Sequence, residues 1–212
     1  MTKIAIIGFG VLGKQLFNFL NEKGEVKSIV AFDDFAERET YIDTLLPFEK
    51  FLDDAFKDFD FYVGIGYKHL SFRRKVIQKL RSLNRNIPSF IHPTCYVSPY
   101  ASIGEGCILF PNCNIDQNVT IENGNVFHNS VTISHDCLIS ESNYISPSVT
   151  LCGNIVVGSE NFIGAGSIIS NGVKVGNNAL IGIGSCITRD VSSDSSVIGN
   201  PQKTLKNKLK LL

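Results

Sequence analysis

From Ile91 onward the chain steps in sixes. Ile91, Val97, Ile103, Leu109, Ile115, Ile121, Phe127, Ile133, Ile139, Ile145, Leu151, Val157, Ile163, Ile169, Val175, Ile181 and Ile187 form 17 successive apolar positions, all aliphatic except Phe127. Neither the 3.6-residue period of an amphipathic helix nor the alternation of a long strand produces that series. Four residues beyond each of these, the position is usually small or apolar: Cys95, Ala101, Cys107, Cys113, Val119, Val131, Cys137, Val149, Val173, Ala179. A repeat this short predicts a parallel β-helix. Each hexad supplies a short strand and a turn, and the aliphatic residue points inward. Coils then stack by parallel pairing roughly 4.8 Å apart, closing a core that no single coil could bury.

Charge divides the chain. Residues 1–90 carry 14 Lys/Arg and 12 Asp/Glu, residues 91–192 carry 2 and 7, and the last 20 residues carry 4 and 1. The expected division is 1–90, 91–192 and a C-terminal tail, 193–212. The whole chain is neutral, with 20 basic and 20 acidic residues, which gives no basic footprint for nucleic acid. No apolar run is long enough to span a membrane, and the first residues lack a signal peptide's apolar stretch, so a cytoplasmic protein is expected. Six cysteines without a CxxC pair read as reduced and mostly structural, with Cys95, Cys107, Cys113 and Cys137 as core fillers.

The first segment alternates β and α character, which predicts a small parallel sheet of Rossmann-like type. Strands are expected at Lys3–Ile7, Val26–Phe32 and Asp60–Ile65. Helices are expected at Lys14–Asn21 and Leu70–Leu83, the second with a basic face at Arg73, Arg74, Lys75 and Lys79. Gly8, Gly10 and Gly13 match GxGxxG in a strand–turn–helix context, and Asp33 lies 20 residues beyond Gly13, where an acid can meet a ribose hydroxyl. About 90 residues are too few for both halves of a dinucleotide fold, so a mononucleotide or nucleotide-sugar site fits better. A purely structural tight turn is the competing reading.

Four histidines are present. His92 reads as structural, and His69 as solvated, with a nucleotide contact as the alternative. His128 and His135 fall inside the repeat without a metal-ligand spacing. His135 is followed at once by Asp136, which could hold its tautomer and raise its basicity. Eighteen residues on lies Gly153, whose N–H could meet a reacting carbonyl. A solvated turn residue is the competing reading of His135.

Gly8–Gly13, Asp33-Asp34, Gly64-Ile65-Gly66, Ile91-His92-Pro93, His135-Asp136 and Gly199-Asn200-Pro201 occur in an order that resembles the sugar-nucleotide acyltransferases of the left-handed β-helix superfamily. These include the N-acetyltransferases of UDP- or dTDP-4-amino sugars and the sialic acid O-acetyltransferase group. The general rule for crossovers is right-handed; the resemblance implies a left-handed, triangular coil, with three hexads per turn and a little under six turns. It further implies an acetyl-CoA-dependent enzyme, a homotrimer with acyl-CoA between neighbouring coils, and no metal. By position, His135 would be the general base, Asp136 its orienting partner and Gly153 N–H the support for the thioester carbonyl. Gly10, Val11 and Leu12 would cradle the nucleotide phosphates, Asp33 and Asp34 would meet the nucleoside, and Gly66 would line that pocket. Ala165 and Ile183 would contact the coenzyme A arm through their backbones. The chain departs from the family at two positions. Tyr144 stands nine residues beyond the base, where a second His near the acyl donor is common, and His128 stands seven before it, where Asn is common. The expected reaction is direct attack of a nucleotide-linked sugar amine on the acyl-CoA carbonyl. Sugar O-acetyl transfer, an NAD-dependent enzyme and a non-catalytic β-helix scaffold are the alternatives. The basic tail would approach the coenzyme phosphates or form a solvated terminal helix.

Overall fold

The structure is a computed structural model, and it describes residues 2–22, 26–36 and 44–207. The last residues of the basic tail, 208–212, lie outside the described residues. The chain forms two compact units, Met1–Pro88 and Ser89–Leu212.

The first unit is a four-stranded parallel sheet. Its strands are β1 (Thr2–Ile7), β2 (Val26–Phe32), β3 (Leu45–Leu46) and β4 (Asp60–Val63), in the order β3-β2-β1-β4. Helices α1 (Val11–Glu22) and α2 (Leu70–Ser82) complete it. Helix α1 starts three residues earlier than its spacing suggests, directly after Gly10. The sequence reading did not anticipate β3, a two-residue strand. The central strand β1 buries Ile4 through Ile7, because both its neighbours and the helices shield it. The expected basic face of α2 is corrected at one position: Arg73 is fully buried. It sits among Leu70, Val76, Ile77 and Leu80, on the stripe facing the sheet.

The second unit is a parallel β-helix. Two-residue strands recur every six residues from Phe90–Ile91 to Cys186–Ile187, and those up to Ile168–Ile169 each pair in parallel with the strand eighteen residues on, as Thr120 with Leu138 and Ile121 with Ile139. Together with Ser196–Ile198 and Lys203–Thr204 they assemble into three stacked sheets of eight, six and five strands. This arrangement is consistent with a left-handed β-helix. The second residue of each pair is the repeating aliphatic, and from Leu109 to Ile187 every one is buried. Ile91, Val97 and Ile103 are less so, with Ile91 37% exposed, because the first coil has a neighbour on one side only. The four cysteines read as core fillers behave as expected for three: Cys107, Cys113 and Cys137 are buried, and Cys95 is half-buried against the same core. The final coil is two residues shorter, with Leu180 pairing to Ser196, and an antiparallel strand at Lys203–Thr204 ends the sheet.

The turns obey the same period. Asn112, Asn118, Gly124, Ser130, Asp136, Ser142, Ser148, Asn154, Glu160, Gly166, Gly172, Asn178 and Gly184 all have positive φ, between 52° and 72°. The third residue after each inward aliphatic therefore bends left-handed, a conformation that favours Gly, Asn and Asp. No helix among the described residues is long and apolar enough to cross a membrane.

Candidate active site

His135 and Asp136 occupy one of these turns. The strand Thr132–Ile133 leads in and Leu138–Ile139 leads out. With φ at 58°, Asp136 turns its carboxylate back beside its neighbour, and Oδ2 lies 2.7 Å from His135 Nδ1. A carboxylate only accepts, so Nδ1 carries the proton and the lone pair is left on Nε2. The other carboxylate oxygen accepts from Asn118 Nδ2 at 3.1 Å, one coil away. The hydrogen bonds from His135 first and Asn118 second hold the Asp136 carboxyl below its ordinary range.

The imidazole lies flat on the next coil. A Cβ at Gly153 would come within 2.6 Å of His135 Cε1 and 2.7 Å of Nε2. Glycine leaves that space to the ring, which a Cβ would push aside. The expected use of the Gly153 N–H is corrected: it donates to Asn171 Oδ1 at 2.7 Å. The reason is a feature of the stacking, since Glu105 and Ser159 have the corresponding N–H capped by an Asn eighteen residues on. Cys137, the thiol nearest in sequence to His135, is buried in the core, and its Sγ donates to the Cys152 carbonyl at 3.1 Å.

The other repeat residues singled out by the sequence lie elsewhere. Tyr144 belongs to the eight-stranded sheet, and the turns that follow that sheet carry His128, Ala165 and Ile183. His135 follows the six-stranded sheet, so it stands at a different corner of the coil. Tyr144 and His128 are joined: Tyr144 OH is 2.5 Å from His128 Nε2. The His128 ring lies between those of Phe110, at 4.7 Å, and Tyr144, at 5.0 Å, tilted against both. Burial pushes its imidazole down to about 4, so it is neutral at physiological pH. The two departures from the family pattern thus form one hydrogen-bonded pair. Ala165 and Ile183 are stacked, with Gly184 N donating to Ala165 O at 2.8 Å, and Ile183 is 78% exposed.

In the first unit a cavity of about 420 Å³ opens at the C-terminal ends of β1, β2 and β4. Gly8, Gly10, Asp33, Asp34, Gly64 and Gly66 line it. Phe35, Phe48, Ile65, His69 and Phe72 complete it. Val11 and Leu12 are not among its lining residues; Leu12 is buried and Val11 points to solvent. The role expected of Asp33 also changes. Its carboxylate accepts three backbone N–H groups, from Phe9 at 2.6 Å, Phe35 at 2.7 Å and Ala36 at 2.9 Å. Asp34 accepts from Phe48 N at 2.9 Å. Both acids tie the walls of the cavity together. The aromatic residues escaped the sequence reading because Phe48 and Phe72 meet only in the tertiary structure, 5.5 Å apart. Asn118 and Asn171 were legible in principle, since each stands one coil from a residue already singled out.

Among the described residues no group of His, Cys, Asp and Glu is arranged to hold a metal ion. No protein-family model and no curated protein sequence matches the chain. Solved structures do. The acetyltransferase domain of PglB from Neisseria gonorrhoeae matches with a TM-score of 0.88 and 28% identity, over 97% of this chain and 100% of that one. The same domain in complex with acetyl coenzyme A matches equally, over 96% and 98%. PerB from Caulobacter crescentus, in complex with CoA and GDP-perosamine, shares the fold with a TM-score of 0.79, at 24% identity over 97% of both chains. The stacked hexad coil is matched end to end by an acetyltransferase domain, and the chain is similar to the acyltransferases of the hexapeptide-repeat β-helix superfamily.

Proposed function

We propose that the protein transfers an acetyl group from acetyl-CoA to the amine of a nucleotide-linked amino sugar. The observation that carries this reading is the His135–Asp136 pair, whose 2.7 Å bond leaves the Nε2 lone pair for an incoming proton. The PglB domain supports the donor, since it matches this chain end to end and binds acetyl coenzyme A. The cavity of the first unit supports the acceptor, on a Rossmann-like sheet whose Gly8–Gly13 turn opens helix α1. UDP and dTDP are the nucleotides proposed, with GDP as the third to try.

The amine attacks the thioester carbonyl as His135 Nε2 takes its proton. The Asp136 carboxylate stabilises the imidazolium that forms and keeps it oriented. The new amide bond replaces the thioester, and the thiol of coenzyme A leaves with a proton. Direct transfer is favoured because Cys137 faces the core. Ala165 and Ile183 offer backbone groups to the coenzyme arm at their own corner of a left-handed coil. That corner and the His135 corner belong to different edges of one chain, so a complete site needs a second copy, and the trimer of the family provides it.

Coenzyme A thiol release from acetyl-CoA, measured with a panel of UDP-, dTDP- and GDP-amino sugars, tests the reading. Release with one amino sugar and none with its hydroxyl counterpart is expected. His135→Ala should lower kcat by roughly 10²–10⁴. Silence across the panel, or near-normal turnover in the folded variant, would overturn the assignment.

A further inference from the structure

The glycines around the cavity fall into two kinds. Gly8, Gly13 and Gly64 are needed for packing: a Cβ on Gly13 would lie 2.1 Å from Gly8 O, and one on Gly64 would lie 2.3 Å from the same oxygen. Gly10 and Gly66 are different. A Cβ on either would meet nothing within 4 Å, and Gly66 has φ of −82°, which any residue adopts. Neither fold strain nor crowding calls for glycine there, yet both face the cavity. Missing side chains at such positions leave room for a ligand to come close to the backbone.

Behind Gly66 lies the buried Arg73. Its Nη1 donates to the carbonyl of Val63 and, at 3.3 Å, to that of Ile65. The two carbonyls flank Gly64 and belong to the end of β4 and the segment after it. A trans peptide sets C=O and N–H on opposite sides. Holding the Ile65 carbonyl inward therefore turns the Gly66 N–H outward, while the Gly64 N–H is already given to Ile7 O at 2.7 Å. The guanidinium also polarises the Ile65–Gly66 peptide, which strengthens its N–H as a donor.

We infer that Arg73 is a positioning residue for an anion in the cavity: it fixes the Ile65–Gly66 peptide so that the Gly66 N–H donates to the diphosphate of the nucleotide sugar, opposite the Gly10 turn. This rests on the nucleotide reading of the cavity proposed above. The buried arginine has a function in this account beyond filling the core of α2. Both bonds come from Nη1, whose two N–H groups are fixed in the guanidinium plane, a geometry that a freely rotating lysine ammonium does not hold.

The test is calorimetric titration of the full-length protein with UDP, dTDP and GDP, followed by steady-state kinetics with the nucleotide it binds. Gly66→Ala keeps the N–H but sets a Cβ where the phosphate would approach it, and should weaken nucleoside diphosphate binding about tenfold, the order of one charge-assisted hydrogen bond. It should raise KM for the amino-sugar nucleotide to match, leaving KM for acetyl-CoA and the thermal transition in place, since its Cβ fills open space. Arg73→Lys should give the same split in KM. If the wild-type protein binds none of the three diphosphates, the nucleotide reading of the cavity fails, and this inference with it. If it binds one and Gly66→Ala binds it equally, the assignment of Gly66 and Arg73 alone is overturned.

Discussion

Single residues here are tuned by what stands one coil away. Asp136 is set by its own turn and by Asn118 beneath it, and His135 rests on a glycine that offers no side chain to displace it. His128 shows how burial acts at this scale. Its folded-state value of about 4 lies below the ordinary 6.5, so the unfolded chain binds a proton that the folded one refuses. The stability carried by neutral His128 is complete above pH 6.5 and is lost as pH falls toward 4, by up to about 3 kcal/mol. Thermal melts between these limits should show a falling transition in the wild type. His128→Gln, which keeps a hydrogen-bonding partner for Tyr144 but does not titrate, should flatten that fall. An equal acid sensitivity in both proteins would remove His128 as its source.

At the scale of the element, the coil is held by columns of like residues. Asn125, Asn143 and Asn161 are fully buried and stacked eighteen residues apart. Asn143 Oδ1 accepts from both the backbone N and the side-chain Nδ2 of Asn161 at 2.9 Å, and Asn143 itself donates in the same way to Asn125 Oδ1. Asn143 Nδ2 also donates to the Ser140 carbonyl at 2.8 Å. The ladder ends where Ala179 N donates to Asn161 Oδ1 at 2.7 Å. An apolar replacement in the middle leaves several buried groups without partners. Asn143→Leu should therefore cost about 3 kcal/mol or more, as several unmet hydrogen bonds do. Denaturant unfolding measures it, and a loss under about 1 kcal/mol would mean the ladder relaxes around the gap. The ladder was not anticipated, although its spacing is that of the hexads, because Asn at a core position reads as polar until its partners above and below are known.

For the molecule as a whole, the proposed trimer can be tested on the outer faces of two sheets. Tyr96 and Ile168 are 57% and 47% exposed on the six-stranded sheet, and Leu138 and Val156 are 39% and 38% exposed on the five-stranded sheet. Apolar surface on regular faces of this kind favours burial against another copy. Light scattering should give a mass near three times 23.3 kDa. Replacing Ile168 by Glu should shift the mass toward the monomer and lower activity together. A monomeric wild type that retains turnover would show that one chain completes the site.

Much of this was legible without coordinates wherever the determinant is local or strictly periodic. The step of six defined the coil and its inward face. The Gly8–Gly13 motif announced a turn and a helix after β1, and the adjacency of His135 and Asp136 brought an imidazole and a carboxylate within hydrogen-bond reach. Those features depend on neighbours in sequence or on a repeat that brings every eighteenth residue together. What the tertiary structure alone decided depends on contacts with no such rule. It gave the Gly153 N–H to Asn171, turned Arg73 from an expected basic face into the core, and committed Asp33 to three backbone amides. It also joined His128 to Tyr144 and lined the cavity with Phe48 and Phe72, because packing and buried hydrogen bonds are satisfied by position in space rather than by distance along the chain.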